Sequence, residues 1–70
     1  MIPITLADSG EELIIQRVTG RPEVKKHLED MGFTAGSPVT VINTINGNVI
    51  IKVKECRVAI SQEMAQKIMV

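Results

Sequence analysis

Residues whose side chains could carry out chemistry are few and scattered in this chain. Cys56 and His27 are each the only residue of their type. A nucleophilic site needs a base beside the nucleophile, and a phosphate-binding loop needs closely spaced glycines. The sequence contains neither pattern, and it contains no pair of carboxylates spaced for acid–base work. We therefore expect a protein that is not an enzyme.

The spacing of three side chains along one predicted helix suggests a metal-binding hypothesis. Glu23 lies four residues before His27 and Asp30 three residues after it, so a helix would present all three side chains on one face. Cys56 is a further candidate ligand, and iron or zinc is the ion that such a set would bind. The alternative is an exposed helix histidine with two solvated acids, and a cysteine in the core or at its rim. We expect no metal site and no cofactor from this pattern.

A helix and the turn after it organise the rest of the chain. Val24, Leu28 and Met31 form one apolar stripe at helical spacing. Gly32 follows where helices end with a positive φ, which glycine adopts at little cost. Phe33, the only aromatic residue, is predicted either to pack back on Leu28 as the apolar contact of such a cap or to anchor an interface.

Two acids occupy the unfavourable end of this predicted helix. Glu29 and Asp30 lie in its last turn, where each exposed acid costs about 0.3–1 kcal/mol, and Lys25 and Lys26 offset part of that cost. The acids are either a solvated face or a surface for a basic partner. We name the expected partner surface the acidic corner; it comprises Glu29, Asp30, Met31, Phe33, Thr34 and Ala35.

Most of the remaining chain is predicted to be strand. The helix begins either after a Thr19 cap or at Pro22 itself, and Ser61 is predicted to cap a short second helix. The predicted strands are Glu11–Val18, Val39–Thr44, Asn48–Lys54 and Arg57–Ile60, with Met69–Val70 at a sheet edge. Strands this short must close on themselves to hide their edges. We predict a mainly β fold, a small SH3-like β-barrel with a helix inserted after the first strand and a short C-terminal helix.

The hairpin around Asn46–Gly47 has two alternative registers. A two-residue turn would place Val41 opposite Lys52, whereas a three-residue loop would place Val41 opposite Ile51. The second register collects the branched residues on one face. A slip of one residue flips every side chain to the other face, so we favour the three-residue loop.

Composition excludes several classes of function. The chain has 70 residues, one phenylalanine, no tryptophan or tyrosine, and eight basic against eight acidic residues. Nucleic-acid binding needs a basic face and stacking platforms, and proline-rich ligands need aromatic grooves, so we expect neither partner. No apolar stretch approaches the ~20 residues that span a bilayer. We expect a single domain of residues 1–70 in the cytosol, with no disulfide, no signal peptide and no direct insertion into a membrane.

Three segments together resemble the FeoA domain family. They are Ile4–Asp8 with Gly10–Glu11, the stretch from Leu28 to Val41 with its Met31–Gly32–Phe33–Thr34 core, and Val53–Ile68. The resemblance covers nearly the whole chain in order. It departs from the family pattern at Ala35 and Asn48, where proline is common, and at Glu55, where glycine is common. The turn that contains Glu55 is therefore expected to differ.

The resemblance implies a small accessory protein of bacterial ferrous-iron uptake. Such proteins are thought to act on FeoB, the membrane permease that carries a GTP-binding domain, by regulatory contact rather than transport or hydrolysis. A similar domain ends some metal-dependent repressors. This interpretation also allows the chain to form a homo-oligomer. The alternative function is a metal-binding carrier or sensor that uses His27 and its neighbouring carboxylates.

Overall fold

The computed structural model describes all 70 residues of the chain. A 3-10 turn, Ile4–Leu6, precedes the regular elements. These are β1 (Glu12–Ile14), β2 (Arg17–Val18), α1 (Pro22–Asp30), β3 (Pro38–Ile45), β4 (Asn48–Val53), β5 (Cys56–Ser61), α2 (Gln62–Ala65) and β6 (Ile68–Met69). The predicted mainly β fold with an inserted helix and a short second helix is confirmed.

Two small antiparallel sheets form the barrel. One has the strand order β1-β3-β4-β5, and the other pairs β2 with β6. The sheets enclose one apolar core, and each of its members is at most 6% exposed. Its members are Ile4, Ile15, Val18, Leu28, Phe33, Val39, Val41, Val49, Ile51, Val53, Ile60, Ala65 and Ile68.

The predicted strand Glu11–Val18 is divided between these two sheets. The N–H of Ile15 donates to the carbonyl of Ser37 at 3.0 Å, whereas the N–H of Gln16 donates to the carbonyl of Met69 at 2.7 Å. Ile15 is buried at this crossing point. The chain thus changes partner within two residues. The apolar residues are consecutive in sequence because Ile14 is exposed, while burial still alternates between Leu13, Ile14 and Ile15.

The β3–β4 hairpin has the predicted side-chain pairs, but a different backbone feature produces them. Val41 lies opposite Ile51, as predicted. The turn nevertheless has two residues, Asn46 and Gly47, both with positive φ. The extra residue is Ile42, where the register shifts between Val41 and Asn43. The predicted three-residue loop is therefore wrong, because a bulge inside β3 supplies the offset.

The starts of both helices agree with predictions made from the sequence. Pro22 is the first residue of α1, and no side chain caps that helix. Thr19 instead donates from Oγ1 to the carbonyl of Lys67 at 3.2 Å. Ser61 caps α2, since its Oγ accepts the N–H of Met64 at 3.2 Å. Thr19 therefore holds the chain against the approach to β6 rather than starting the helix.

Candidate partner-binding corner

Backbone hydrogen bonds fix the end of α1. Gly32 has a φ of +103°. Its N–H donates to the carbonyl of Glu29 at 2.9 Å, and the N–H of Phe33 donates to the carbonyl of Leu28 at 3.0 Å. This pair of bonds is the Schellman motif, in which a glycine with positive φ satisfies the last carbonyls of a helix. The glycine stop that the sequence predicts is confirmed.

Phe33 belongs to the core and not to the surface. Its side chain is 0% exposed, as is that of Leu28. A residue with no accessible surface cannot contact a partner in this conformation, so the role of interface anchor does not fit Phe33. Its place is that of the apolar cap residue, and the surface of the acidic corner consists of its other members.

The turn that follows is held by short polar contacts. Thr34 Oγ1 and Ser37 Oγ lie 2.7 Å apart, and the N–H of Ser37 donates to the carbonyl of Thr34 at 3.1 Å. The N–H of Gly36 donates to the carbonyl of Ile15 at 2.8 Å. Ala35 is exposed at the tip of this turn. The corner therefore presents a small, apolar tip on a well-bonded backbone, and ordering it on binding would cost little entropy.

Glu29 and Asp30 are both exposed beside this turn, and Met31 is half-buried between them and the core. None of the side-chain hydrogen bonds in the structure involves a charged group. The two carboxylates therefore lie at the negative end of α1 without a hydrogen-bonded partner. They are open to a cationic group from another molecule.

One lysine approaches the corner from the β4–β5 turn. The Cδ of Lys54 lies 3.5 Å from the position that a Cβ on Gly32 would occupy. The methylenes of Lys54 therefore pass over the helix end at van der Waals distance from Gly32. The acidic corner is thus bordered by Lys54. No local pattern predicts this neighbour, because the two segments are distant along the chain.

A polar groove lies on the other side of that lysine. It has a volume of about 280 Å³ and contains no hydrophobic lining residue. The lining residues are Glu12, Pro38, Thr40, Lys52, Lys54 and Glu55. None of these residues was predicted to be a site residue, since their proximity depends on the order of β1, β3 and β4 in the sheet.

The candidate metal ligands are all exposed: Glu23, His27 and Asp30 on α1, and Cys56 at the start of β5. The structure contains no group of three or more His, Cys, Asp or Glu side chains arranged to hold a metal ion. Cys56 is a free thiol. The helix spacing that motivated the metal hypothesis therefore does not produce a ligand cluster of three.

These features define a class of protein: a small SH3-like barrel with an inserted helix and a hydrogen-bonded surface corner at the end of that helix. None of its helices has the length and apolar character needed to cross a bilayer. Comparison with known proteins gives the family. A model of the FeoA domain matches residues 2–70, and the chain belongs to the FeoA family.

Individual relatives agree with this assignment. The "Putative Fe(2+) transport protein A" of Methanocaldococcus jannaschii is 39% identical over 70 residues, which are 100% of this chain and 85% of that protein. A crystal structure of an iron uptake regulatory protein (FeoA) superposes with a TM-score of 0.89 at 29% identity, covering 99% of this chain and 92% of the other. A manganese-dependent transcriptional repressor shares the fold over 38% of its length, with 94% of this chain covered, a TM-score of 0.84 and 16% identity.

Membership of the FeoA family places the chain in ferrous-iron transport as an accessory protein and not as an enzyme. That agrees with the expectation drawn from the sequence and with the resemblance to this family.

Proposed function

We propose that this protein regulates ferrous-iron uptake by binding the membrane permease FeoB through the acidic corner. The family match over residues 2–70 supports a role in the Feo system. The names of an Fe(2+) transport protein A and an iron uptake regulatory protein among its relatives support a role in iron transport and its regulation. Contact with a second protein is how a small barrel of this class would exert such control.

The observation that carries the choice of surface is the position of Glu29 and Asp30. Both acids are exposed on the last turn of α1, where the helix dipole opposes them. Such an arrangement lowers the stability of the free protein, and a cationic partner would relieve it. The adjacent turn through Ala35 supplies a small apolar contact next to the charges.

The partner surface of FeoB is proposed to be basic and cytosolic, so that the protein acts in the cytoplasm. The 70 residues act as a single domain in this proposal, with the helix end as the contact and the barrel as its rigid support. Charge attraction would raise the association rate and make binding sensitive to salt.

The test is retention of full-length FeoB, in detergent micelles, on immobilised protein. Glu29→Gln with Asp30→Asn removes both corner charges and changes little of their shape. Asp8→Asn with Glu11→Gln removes two exposed acids elsewhere and serves as the matched control. We expect the corner variant to retain about tenfold less permease, as loss of a favourable charge pair of about 1.4 kcal/mol would produce. Equal retention by both variants, with folding verified by circular dichroism, would remove this surface from the proposal.

A further inference from the structure

One edge of the larger sheet has unpaired backbone groups. The N–H of Gln62 donates to the carbonyl of Gly47 at 3.2 Å. Hydrogen-bonded pairs alternate with non-bonded pairs along an antiparallel ladder. Counting back in steps of two from this bond makes Val49–Ile60, Ile51–Val58 and Val53–Cys56 the bonded pairs of β4 and β5.

The residues between those pairs face away from β4. The N–H and C=O groups of Arg57 and Ala59 therefore point to the outer side of β5, which is the last strand of its sheet. No backbone hydrogen bond outside the ladders involves either residue. Both residues are exposed, and the strand has neither a proline nor a bulge to block this edge. The outer side of β5 is thus a template of two donors and two acceptors.

One of the two template residues, Arg57, has a basic side chain, and a second cation lies beside it. Arg57 lies directly opposite Lys52 in a non-bonded pair, where side chains approach most closely. Two like charges in this position oppose each other. Glu12 lies in the same row, but two strands from Lys52, or about 10 Å across the sheet. No strand pairs with the outer side of β5, so the cross-strand position beside Arg57 is open to an acid from another molecule.

The other face of β5 is apolar. Val58 is half-buried and packs against the core, and Ile60 is buried. A strand added beside β5 would continue this alternation, with acids on the face of Arg57 and apolar residues on the face of Val58.

We propose that the outer edge of β5 binds an extended acidic segment of a partner protein by β-strand addition. The segment alternates acidic and apolar residues and forms backbone hydrogen bonds with Arg57 and Ala59. One acidic side chain lies directly opposite Arg57. Basic residues on an edge also protect sheets against aggregation. Protection alone would give no preference for an acidic strand, so the two explanations differ in what they predict.

The inference is independent of the acidic corner and of the identity of FeoB, since it is tested on the purified chain with synthetic peptides. The probe is a capped peptide of alternating valine and glutamate, and its control is the same peptide with lysine in place of glutamate. Binding is measured by NMR titration, and hydrogen exchange of the Arg57 and Ala59 amides reports the new backbone bonds.

We expect the glutamate peptide to bind and to slow exchange at Arg57 and Ala59, while the lysine peptide does not bind. Arg57→Glu should weaken binding about tenfold, because it replaces a favourable cross-strand pair with a like-charge pair. The matched control is Lys25→Glu, which makes the same change of charge on exposed α1 and should leave affinity unchanged. Ala59→Pro removes an outward N–H, which edge strands tolerate, and should abolish binding.

A peptide N-methylated at alternate residues tests the backbone bonds without altering the protein, and it should not bind. Three outcomes would overturn the proposal: equal binding of the glutamate and lysine peptides, unchanged exchange at Ala59, or equal binding of the N-methylated peptide. Sedimentation that shows a dimer broken by Ala59→Pro would assign this edge to a second copy of the chain instead, and would also overturn it.

Discussion

Lys54 lies across Gly32, with its Cδ 3.5 Å from the point where a Cβ would stand on the glycine. Gly32 ends α1, and Lys54 begins the turn between β4 and β5. This contact places a lysine of the β4–β5 turn at the boundary of the acidic corner. Both residues have positive φ, +103° for Gly32 and +48° for Lys54. The boundary therefore depends on backbone conformations that are unfavourable for most residues.

The first prediction concerns Gly32. Gly32→Ala should lower the free energy of unfolding by about 1–3 kcal/mol, because alanine is strained at this φ. The added Cβ would meet Lys54 and Val53 at 3.5–3.9 Å, which is ordinary contact, so crowding should add little. Urea unfolding measures the change.

Gly36→Ala separates strain from crowding. Gly36 has a φ of +89°, and a Cβ there would have no neighbour within 4 Å. The two variants should lose similar stability. A much larger loss in Gly32→Ala would show that the contact with Lys54 is tighter than these distances indicate, and no loss in either would contradict the argument from strain.

The second prediction concerns the β4–β5 turn. Lys54 and Glu55 have φ of +48° and +66°. Two-residue hairpin turns with both φ positive favour asparagine and glycine. Glu55→Gly should raise the free energy of unfolding by roughly 0.5–1 kcal/mol, since relief of left-handed strain exceeds the added entropy of the unfolded glycine. The midpoint of urea unfolding would show it.

Glu55→Ala is the control, because it removes the carboxylate and keeps the strain. It should change stability much less than Glu55→Gly. If the alanine variant gained as much as the glycine variant, the cost at this position would be one of charge and not of backbone conformation.

The sequence predicted the elements with a local chemical signature. The Schellman cap at Gly32 and the Ser61 cap are each encoded by one or two adjacent residues, and both are present. The pairing of Val41 with Ile51 was also predicted, because it is the register that buries branched residues on one face. The position of the extra residue was not predicted. A bulge at Ile42 and a three-residue loop both place Val41 opposite Ile51, so the pairing does not distinguish them.

What the sequence did not indicate depends on the order of strands. The predicted first strand is divided after Ile15 because Ile15 bonds to Ser37 in one sheet and Gln16 bonds to Met69 in the other. The burial of Phe33 was one of two open alternatives, because an apolar residue after a cap can point into a core or into solvent. The free edge of β5 could not be inferred, since nothing in the local pattern of a strand tells whether one or two neighbours flank it.

The third prediction tests the metal-binding alternative directly. Titration of the purified chain with ferrous iron or zinc, followed by calorimetry, should show no stoichiometric binding at micromolar metal. The physical reason is that no three suitable side chains are arranged around one point, and Glu23, His27 and Asp30 are open to water. His27→Ala should behave like the parent chain. One equivalent of metal that binds the parent and not His27→Ala would favour a carrier or sensor.

The fourth prediction is that removing the charges of the acidic corner raises the stability of the protein while it weakens binding to FeoB. Glu29→Gln with Asp30→Asn should raise the free energy of unfolding by a few tenths of a kcal/mol per charge at low ionic strength, since both acids lie in the last turn of α1. The gain is smaller than the dipole cost of about 0.3–1 kcal/mol, because the substitutions also remove the pairs with Lys25 and Lys26. The gain should shrink in high salt, which screens exposed charges. Urea unfolding at two salt concentrations measures it.

Glu23→Gln provides the matched control, because Glu23 lies in the first turn of the same helix, where the dipole favours an acid. That variant should lose stability by a similar amount. A corner variant that is more stable than the parent and retains less FeoB cannot owe its weaker binding to unfolding, so the loss would belong to the contact itself. A corner variant that is less stable would show that Glu29 and Asp30 support the fold, and the argument that they are held there for a partner would fail.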